Sequence, residues 1–355
     1  VNDLKVAGIW TKMKAIYPFV GGTATSHKWN LKDPRDLNAA YRLVFNGGGI
    51  HSSTGYKGSA NGYAQTFLNA FNVLQNSNLH LSFYSRTADT TNAYSNEIQQ
   101  DSTWSSSNYI TFRTNNKSGG GTVWFSAGND SAGASISSTE NGFYIGSETA
   151  SNLRKMYRNG SVLATNTTND TNSLPNANLN LLGSPTAGAY SLNETAFTSI
   201  GDGLTDSEAS SFNTAVQKFQ TTLGRQVNTP SVSDSDAQAF LTATGITSYT
   251  QANAVNTLVV DLKAAGIWTK MKAIYPMVGG SATTHKFNLK DPRDVDAAYR
   301  LQFNGGWTHG SNGATPNGTT AYANTYLIPN DTFNVTNLAA FGYYSLTSVA
   351  SVPRD

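Results

Sequence analysis

Between residues 40 and 201 the apolar positions fall in short aromatic or β-branched runs, each bounded by Gly, Asn or Ser. Residues 41–45, 79–84, 109–113, 122–125 and 142–145 read as strands on that pattern. The sharpest local signal is residues 155–158, then Asn159-Gly160, then residues 161–164. It predicts a hairpin with a type I′ turn, because both turn residues need positive φ. Residues 179–182 and 196–200 bring the set to about ten strands. Their regular spacing, with no helical period between them, predicts an all-β, antiparallel jelly-roll sandwich with no helix longer than three turns.

The period changes to a helical one after residue 204. Thr205 and Glu208 form a capping box. Ala209, Phe212, Val216, Phe219 and Leu223 then mark one apolar face that stops at Gly224. Residues 233–243 read as a second helix ending at Gly245. A third carries Val255, Leu258, Val259 and Leu262 and ends before Gly266. All four of those side chains are expected to be buried against other subunits or the adjoining domain.

The chain also repeats itself. From Asp3 to Gly48, 38 of 46 positions are identical to those 258 places later, Asp261 to Gly306. A period that long means that each repeat is a whole domain, not a solenoid turn. The expected organisation is a sandwich over 1–228, a helical connector over 229–265 and part of a second sandwich over 266–355. The array would be a longer protein entered partway. Helix-rich connectors hold spacing more stiffly than Gly/Ser coil.

Composition narrows the role. Charged residues make up 13% of the 355, against roughly 25% in an average soluble domain. A formal charge of +2, with Lys and Arg scattered, leaves no footprint for nucleic acid. No apolar run approaches the roughly 20 residues of a membrane helix, so membrane insertion is not expected. The absence of cysteine excludes disulfides, Cys-ligated zinc and a thiol nucleophile, and leans towards a bacterial or viral source.

Catalytic patterns are missing. Glu97, Glu140, Glu148, Glu194 and Glu208 stand far apart, and the five histidines show no metal-ligand spacing. His27 and His285 occupy equivalent repeat positions, which favours a structural role. The run Asn166-Thr167-Thr168-Asn169-Asp170 offers oxygen atoms to calcium, but without a fixed spacing. No metal site and no cofactor are expected. Lys32-Asp33-Pro34-Arg35-Asp36, present in both copies, reads as a Pro turn with local charge pairs; a binding motif and a subunit contact are the other readings. For glycan binding the candidates are Tyr56, Tyr94 and Trp104, aromatic residues in polar, loop-like stretches; each also reads as a cover over its own sandwich.

Two stretches carry a resemblance. Tyr157-Arg158-Asn159-Gly160, the Leu-rich 179–183, Phe197 to Gly201 and Leu204-Thr205-Asp206-Ser207-Glu208 together resemble the second half of a concanavalin-A-like or laminin-G-like jelly roll. With residues 8–18 and 200–208, the chain is similar to the laminin-G-like domains of bacteriophage virion proteins, in a tail or fibre. The glycosidases among such folds carry a Glu-x-Asp-x-x-Glu strand that this sequence lacks. The resemblance implies a non-enzymatic structural component of a virion, or otherwise an extracellular location. Its partners would be other virion subunits or copies of itself, with a cell-surface glycan in addition. A carbohydrate-binding or adhesion module of a bacterial surface protein is the alternative.

Overall fold

Two antiparallel sheets stack face to face across residues 13–201, as the run of short strands predicts. The computed structural model describes residues 1–87, 95–103, 108–115, 122–128, 130–135, 141–170, 172–227, 232–329 and 339–346. The chain forms two units, Val1–Asn228 and Thr229–Asp355.

In the first unit, the central sheet has eight strands among the described residues. From one edge they are Ser161–Asn166, Leu153–Arg158, Gly142–Ala150, Leu79–Ser85, Glu194–Gly201, Gly55–Lys57 and Ile50–Ser52. Met13–Tyr17 adds to Glu194–Gly201 on the same side as Gly55–Lys57. The outer sheet runs Asp130–Ser135, Thr122–Gly128, Tyr109–Asn115, Ser95–Gln100, Asn178–Leu181, Tyr63–Asn69 and Val44–Asn46. Leu81, Phe83, Tyr144 and Ile200 from the central sheet meet Ile98, Phe112, Phe125 and Leu179 from the outer one. Phe83 stands edge-on to Phe112 at 5.0 Å and stacks on Tyr144 at 5.3 Å. Gly146 makes room for this packing, since a Cβ there would lie 2.4 Å from the Phe125 ring.

The central sheet is apolar on its other face too. Tyr84, Phe143, Ile145, Tyr157 and Phe197 lie under Ala209, Phe212 and Val216 of the helix Asp206–Thr222. All seven residues of Leu79–Ser85 are buried as a result, and the polar His80 and Ser82 on the helix side are hydrogen-bonded to Ser199. The helix starts as its capping box requires: Thr205 N–H donates to Glu208 Oε2 at 2.9 Å, and Glu208 N–H returns to Thr205 Oγ1. Just past its end, Arg225 turns inward and is 1% exposed. Its guanidinium donates to the carbonyls of Pro18 (2.6 Å), Phe19 (2.7 Å) and Ala196 (2.9 Å) and to Gln220 Oε1 (2.6 Å). Burial pulls its pKa down to about 10, so it is still charged at neutral pH.

Asn159 and Gly160 sit at φ 51° and 81°, as a type I′ turn requires. The longest α-helix described between residues 40 and 201 is the single turn Ala70–Val73. The expected strand at 41–45 is shorter, Val44–Asn46. Tyr41 instead closes a 3₁₀ turn at φ 58°, and its carbonyl accepts the Tyr17 hydroxyl at 2.6 Å. Tyr63–Asn69 and Ser95–Gln100 are strands that the apolar pattern does not mark.

In the second unit the helices are Ser235–Thr244, capped by Asp234 and stopped by Gly245 at φ 66°, and Tyr249–Ala264. Val255 and Val259 are buried in this unit's own core, Leu262 is partly buried and Leu258 is 37% exposed. Within this unit the apolar stripe of the helix is covered at Val255 and Val259, while Leu258 faces outward.

The repeated segments fold alike. Trp10–Lys12 and Trp268–Lys270 are 3₁₀ turns, Ala24–His27 and Ala282–His285 single helical turns, and Val44–Asn46 and Gln302–Asn304 strands. Asn30 accepts from Ile16 N–H and donates to Ala40 O; Asn288 does the same for Ile274 and Ala298. In the repeated charged motif, Asp33 pairs with Arg35 and Asp36 with Lys28, and Asp291 with Arg293 and Asp294 with Lys286. The local-pairing reading of that motif is the one the side chains take. One element differs: Met13–Tyr17 is a strand against Glu194–Gly201, whereas residues 271–275 have no partner strand among the described residues.

Each copy also holds a histidine pair. His27 Nδ1 lies 3.0 Å from His51 Nδ1, and His285 Nδ1 lies 2.9 Å from His309 Nδ1. Gly22 N–H donates to His27 Nε2 at 3.2 Å, which leaves the His27 proton on Nδ1 to be given to His51. Burial, with His51 and Arg225 beside it, lowers the His27 pKa to about 4. His80, held by Asp202 O and Ser199 Oγ, is also lowered to about 4 by burial. Glu148 goes the other way: burial raises it to about 7, against the pull of Arg154.

Two outcomes follow from this packing. Gly146→Ala is expected to destabilise the first unit by about 1–3 kcal/mol through overpacking, read from urea unfolding. The pH dependence has competing signs. The folded chain refuses protons at His27 and His80 from pH 6.5 down to about 4 while the unfolded chain accepts them, so stability falls as pH drops through that window. Glu148 binds its proton more readily when folded, so its contribution is full below about 4.5 and is lost as pH rises through about 7. The urea midpoint should therefore fall on acidification from pH 6.5 to 4, less steeply in His80→Asn and more steeply in Glu148→Gln.

Candidate functional site

The face of the outer sheet turned away from the core carries the least satisfied chemistry in the first unit. Strand register aligns Gln65 with Asn180, Asn180 with Gln99, Gln99 with Thr111, and Thr111 with Ser126. Their neighbours Ala64, Leu179, Leu181, Ile98, Ile110, Phe112, Phe125 and Ala127 face the core, so the two-residue period turns this polar row the other way. A second row runs from Asn96 to Arg113 to Trp124. The register shift between Asn96 and Ile98 swings Asn96 onto the same face as Gln99.

These side chains are buried, and several remain unpaired. Asn96, Gln99, Thr111 and Asn180 are each 0% exposed. The Asn96 amide donates to Gln99 Oε1. Asn96 Oδ1, Gln99 Nε2, both polar atoms of Asn180 and the Trp124 indole nitrogen have no hydrogen-bond partner. A buried amide left unpaired costs about 1–3 kcal/mol. Five such atoms on one sheet face therefore call for oxygen partners from outside the chain, either water or a ligand. The Arg113 guanidinium lies 5.3 Å from the Trp124 ring centroid. Burial also pushes the Tyr109 phenol, on the same strand as Arg113, up to about 12, so it stays protonated. The face thus encloses neutral amides and one guanidinium, with Trp124 partly exposed beside them. That set can hydrogen-bond hydroxyl groups and cover an apolar ring face.

Of the aromatic residues singled out in the sequence, Tyr56 does not build this site. Tyr56 is 0% exposed in Gly55–Lys57 and packs between Phe45 (4.8 Å), His51 (4.7 Å) and Phe19 (6.2 Å). It is a core residue and cannot serve as an exposed platform, because it faces inward from a strand and not outward from a loop. Tyr94 and Trp104 lie outside the described residues. Residues 95–100, with a single aliphatic side chain, carry no pattern in the sequence that marks this row.

The carboxylates are engaged elsewhere. Glu97 Oε1 accepts from Ser191 and Asn193, Glu194 pairs with Arg86 at 3.0 Å, and Glu208 caps its helix and meets Lys12 at 2.7 Å. Glu140 lies outside the described residues. The oxygen-rich loop at 166–170 faces a cation: Asp170 lies 2.9 Å and Glu148 3.3 Å from the buried Arg154 guanidinium. Among the described residues no group of three His, Asp or Glu side chains could hold a metal. A cleft of about 420 Å³ lies at the start of Asp206–Thr222, but its charges already close on themselves, with Asp206 bound by Lys155 and by the Tyr157 hydroxyl at 2.7 Å.

No protein-family model matches the chain, and no curated protein matches it. Among solved structures it is similar to domain 4 of a GH43 extracellular arabinanase from Geobacillus stearothermophilus in complex with arabinotriose. That match has a TM-score of 0.42 and 11% identity, and covers 56% of this chain and 97% of that one. A botulinum neurotoxin type C, whose cell entry depends on interaction with two ganglioside molecules, gives 0.40 and 12%, over 60% of this chain and 53% of that one. Trypanosoma rangeli sialidase gives 0.37 and 15%, over 49% and 30%. At scores below 0.5, no inference about this chain rests on these likenesses.

Proposed function

We propose that the first unit is a glycan-binding sandwich without catalytic activity, and that the outer face of its outer sheet is the binding surface. The observation that carries this reading is the set of unpaired amide and indole groups on Asn96, Gln99, Asn180 and Trp124. Amides both donate and accept, as sugar hydroxyls do. These atoms are enclosed in the free protein, so a sugar reaches them only where this face opens, and its hydroxyls then meet both the donors and the acceptors. Trp124, partly exposed, adds a flat ring for the C–H face of a pyranose. The tandem sequence and its similarity to phage virion domains support a place in a repeated, particle-borne protein such as a tail or fibre.

A glycan array with the full chain tests the binding surface. Saturable binding is expected, weakened about tenfold or more by Gln99→Leu and by Asn180→Leu. Asn180→Leu should keep or gain stability, since an apolar side chain replaces a wholly unpaired buried amide, whereas Gln99→Leu also removes the acceptor of the buried Asn96 amide and should cost about 1–3 kcal/mol. Binding that ignores both substitutions, or an array with no signal, removes this face from consideration. Turnover of a polysaccharide that is lost on substituting a pair of carboxylates would overturn the non-catalytic reading. Antibodies to the chain should decorate the tail or fibre of purified particles.

A further inference from the structure

The repeated segment shows a covered face in one copy and the same face bare in the other. In the second unit, Ala237, Phe240, Leu241, Val255 and Val259 of the two connector helices close over Trp268, Phe287 and Leu289, which are 7%, 8% and 0% exposed. The residues 258 places earlier are Trp10, Trp29 and Leu31. Trp10 and Trp29 are only partly buried, and Leu31 is 40% exposed. Charge follows the same division. Lys263 binds Asp234 and Asp236, at the start of the first connector helix, at 2.7 Å each. Its equivalent Lys5 lies 5.9 Å from the Trp10 ring and has no ion pair among the described residues. Lys32 lies over the same ring at 4.2 Å, as Lys290 lies over Trp268 at 3.8 Å. The short helix Asn2–Val6 occupies the place of the last turn of Tyr249–Ala264 in the repeat.

We propose that the Trp10–Trp29–Leu31 face is a docking surface for a helical hairpin with the sequence of the connector, a second copy of residues 232–259, which leaves the last turn to Asn2–Val6 and the place of Lys263 to Lys5. Its apolar stripe covers the two indoles and Leu31, and its acidic first turn meets Lys5. The surface fits this occupant because the same chain already shows the pairing, on a segment with 38 of 46 identical residues. It lies on the repeated segment, apart from the amide face of the outer sheet, and the proposal is independent of glycan binding.

A synthetic peptide of residues 232–259, titrated onto the full chain by calorimetry, is the first test. The second unit's own face is filled, so one saturable site is expected. Leu31→Asp should weaken binding about tenfold or more, and Val162→Asp, equally exposed elsewhere, should leave it unchanged. A peptide carrying Asp234→Asn and Asp236→Asn should bind about fivefold more weakly, with a smaller salt dependence. A second form places a copy of residues 232–260 ahead of Asp3 in the full chain and follows hydrogen exchange over residues 8–31. Protection there supports docking even where the free peptide folds poorly. Absence of both peptide binding and protection overturns the proposal. So does self-association of the unmodified chain that Leu31→Asp abolishes but Asp234→Asn with Asp236→Asn leaves unchanged, because the face would then pair with itself.

Discussion

A sheet that is apolar on both faces has to be covered twice, and the architecture of the first unit is the solution to that requirement. The outer sheet covers one face through Phe112 and Phe125, and the helix Asp206–Thr222 covers the other through Phe212 and Val216. Gly146 and Arg225 are consequences of the same demand. The glycine lets the sheets approach at Phe125. The arginine ties the end of the covering helix to carbonyls at 18, 19 and 196, groups that the layer would otherwise leave without donors.

The outer sheet bears the opposite pattern. One face builds the core, and the other concentrates amides whose hydrogen-bonding capacity is not met within the chain. A sheet selected for stability alone would pair or remove those groups. On the proposed glycan-binding reading, their retention on three strands of this sheet is stability exchanged for recognition. Preorganisation strengthens the reading, since side chains fixed on neighbouring strands lose little freedom when a ligand binds.

Much of this was legible in the sequence because the signals were local. The Asn159-Gly160 turn, the Thr205/Glu208 cap and Gly245 all act within a few residues of themselves. The repeat was equally plain. What stayed hidden depends on register. Ser95–Gln100 carries a single aliphatic side chain and gives no strand signal by itself; it becomes one by pairing with Asn178–Leu181 and Tyr109–Asn115. The amide row therefore had no visible sequence signature, and attention fell on aromatic residues such as Tyr56, which packs inward. The histidine pairs were within reach: His51 and His309 also stand 258 residues apart. Nothing near Arg225 in the sequence announces partners two hundred residues away.

The pairing of Met13–Tyr17 with Glu194–Gly201 has a consequence for synthesis on the ribosome. The first strand must wait for about 180 further residues before its neighbour exists, which takes roughly ten seconds or more at ordinary elongation rates. During that interval its edge is open. The pentapeptide Met-Lys-Ala-Ile-Tyr at 13–17 recurs unchanged at 271–275, so two identical segments are candidates for one partner. Tandem domains with interchangeable strands are prone to exchange them between neighbours. Order of emergence favours the correct outcome, because the strand at 194–201 leaves the ribosome before the second pentapeptide is made. Vectorial synthesis thus supplies a discrimination that the two identical sequences cannot.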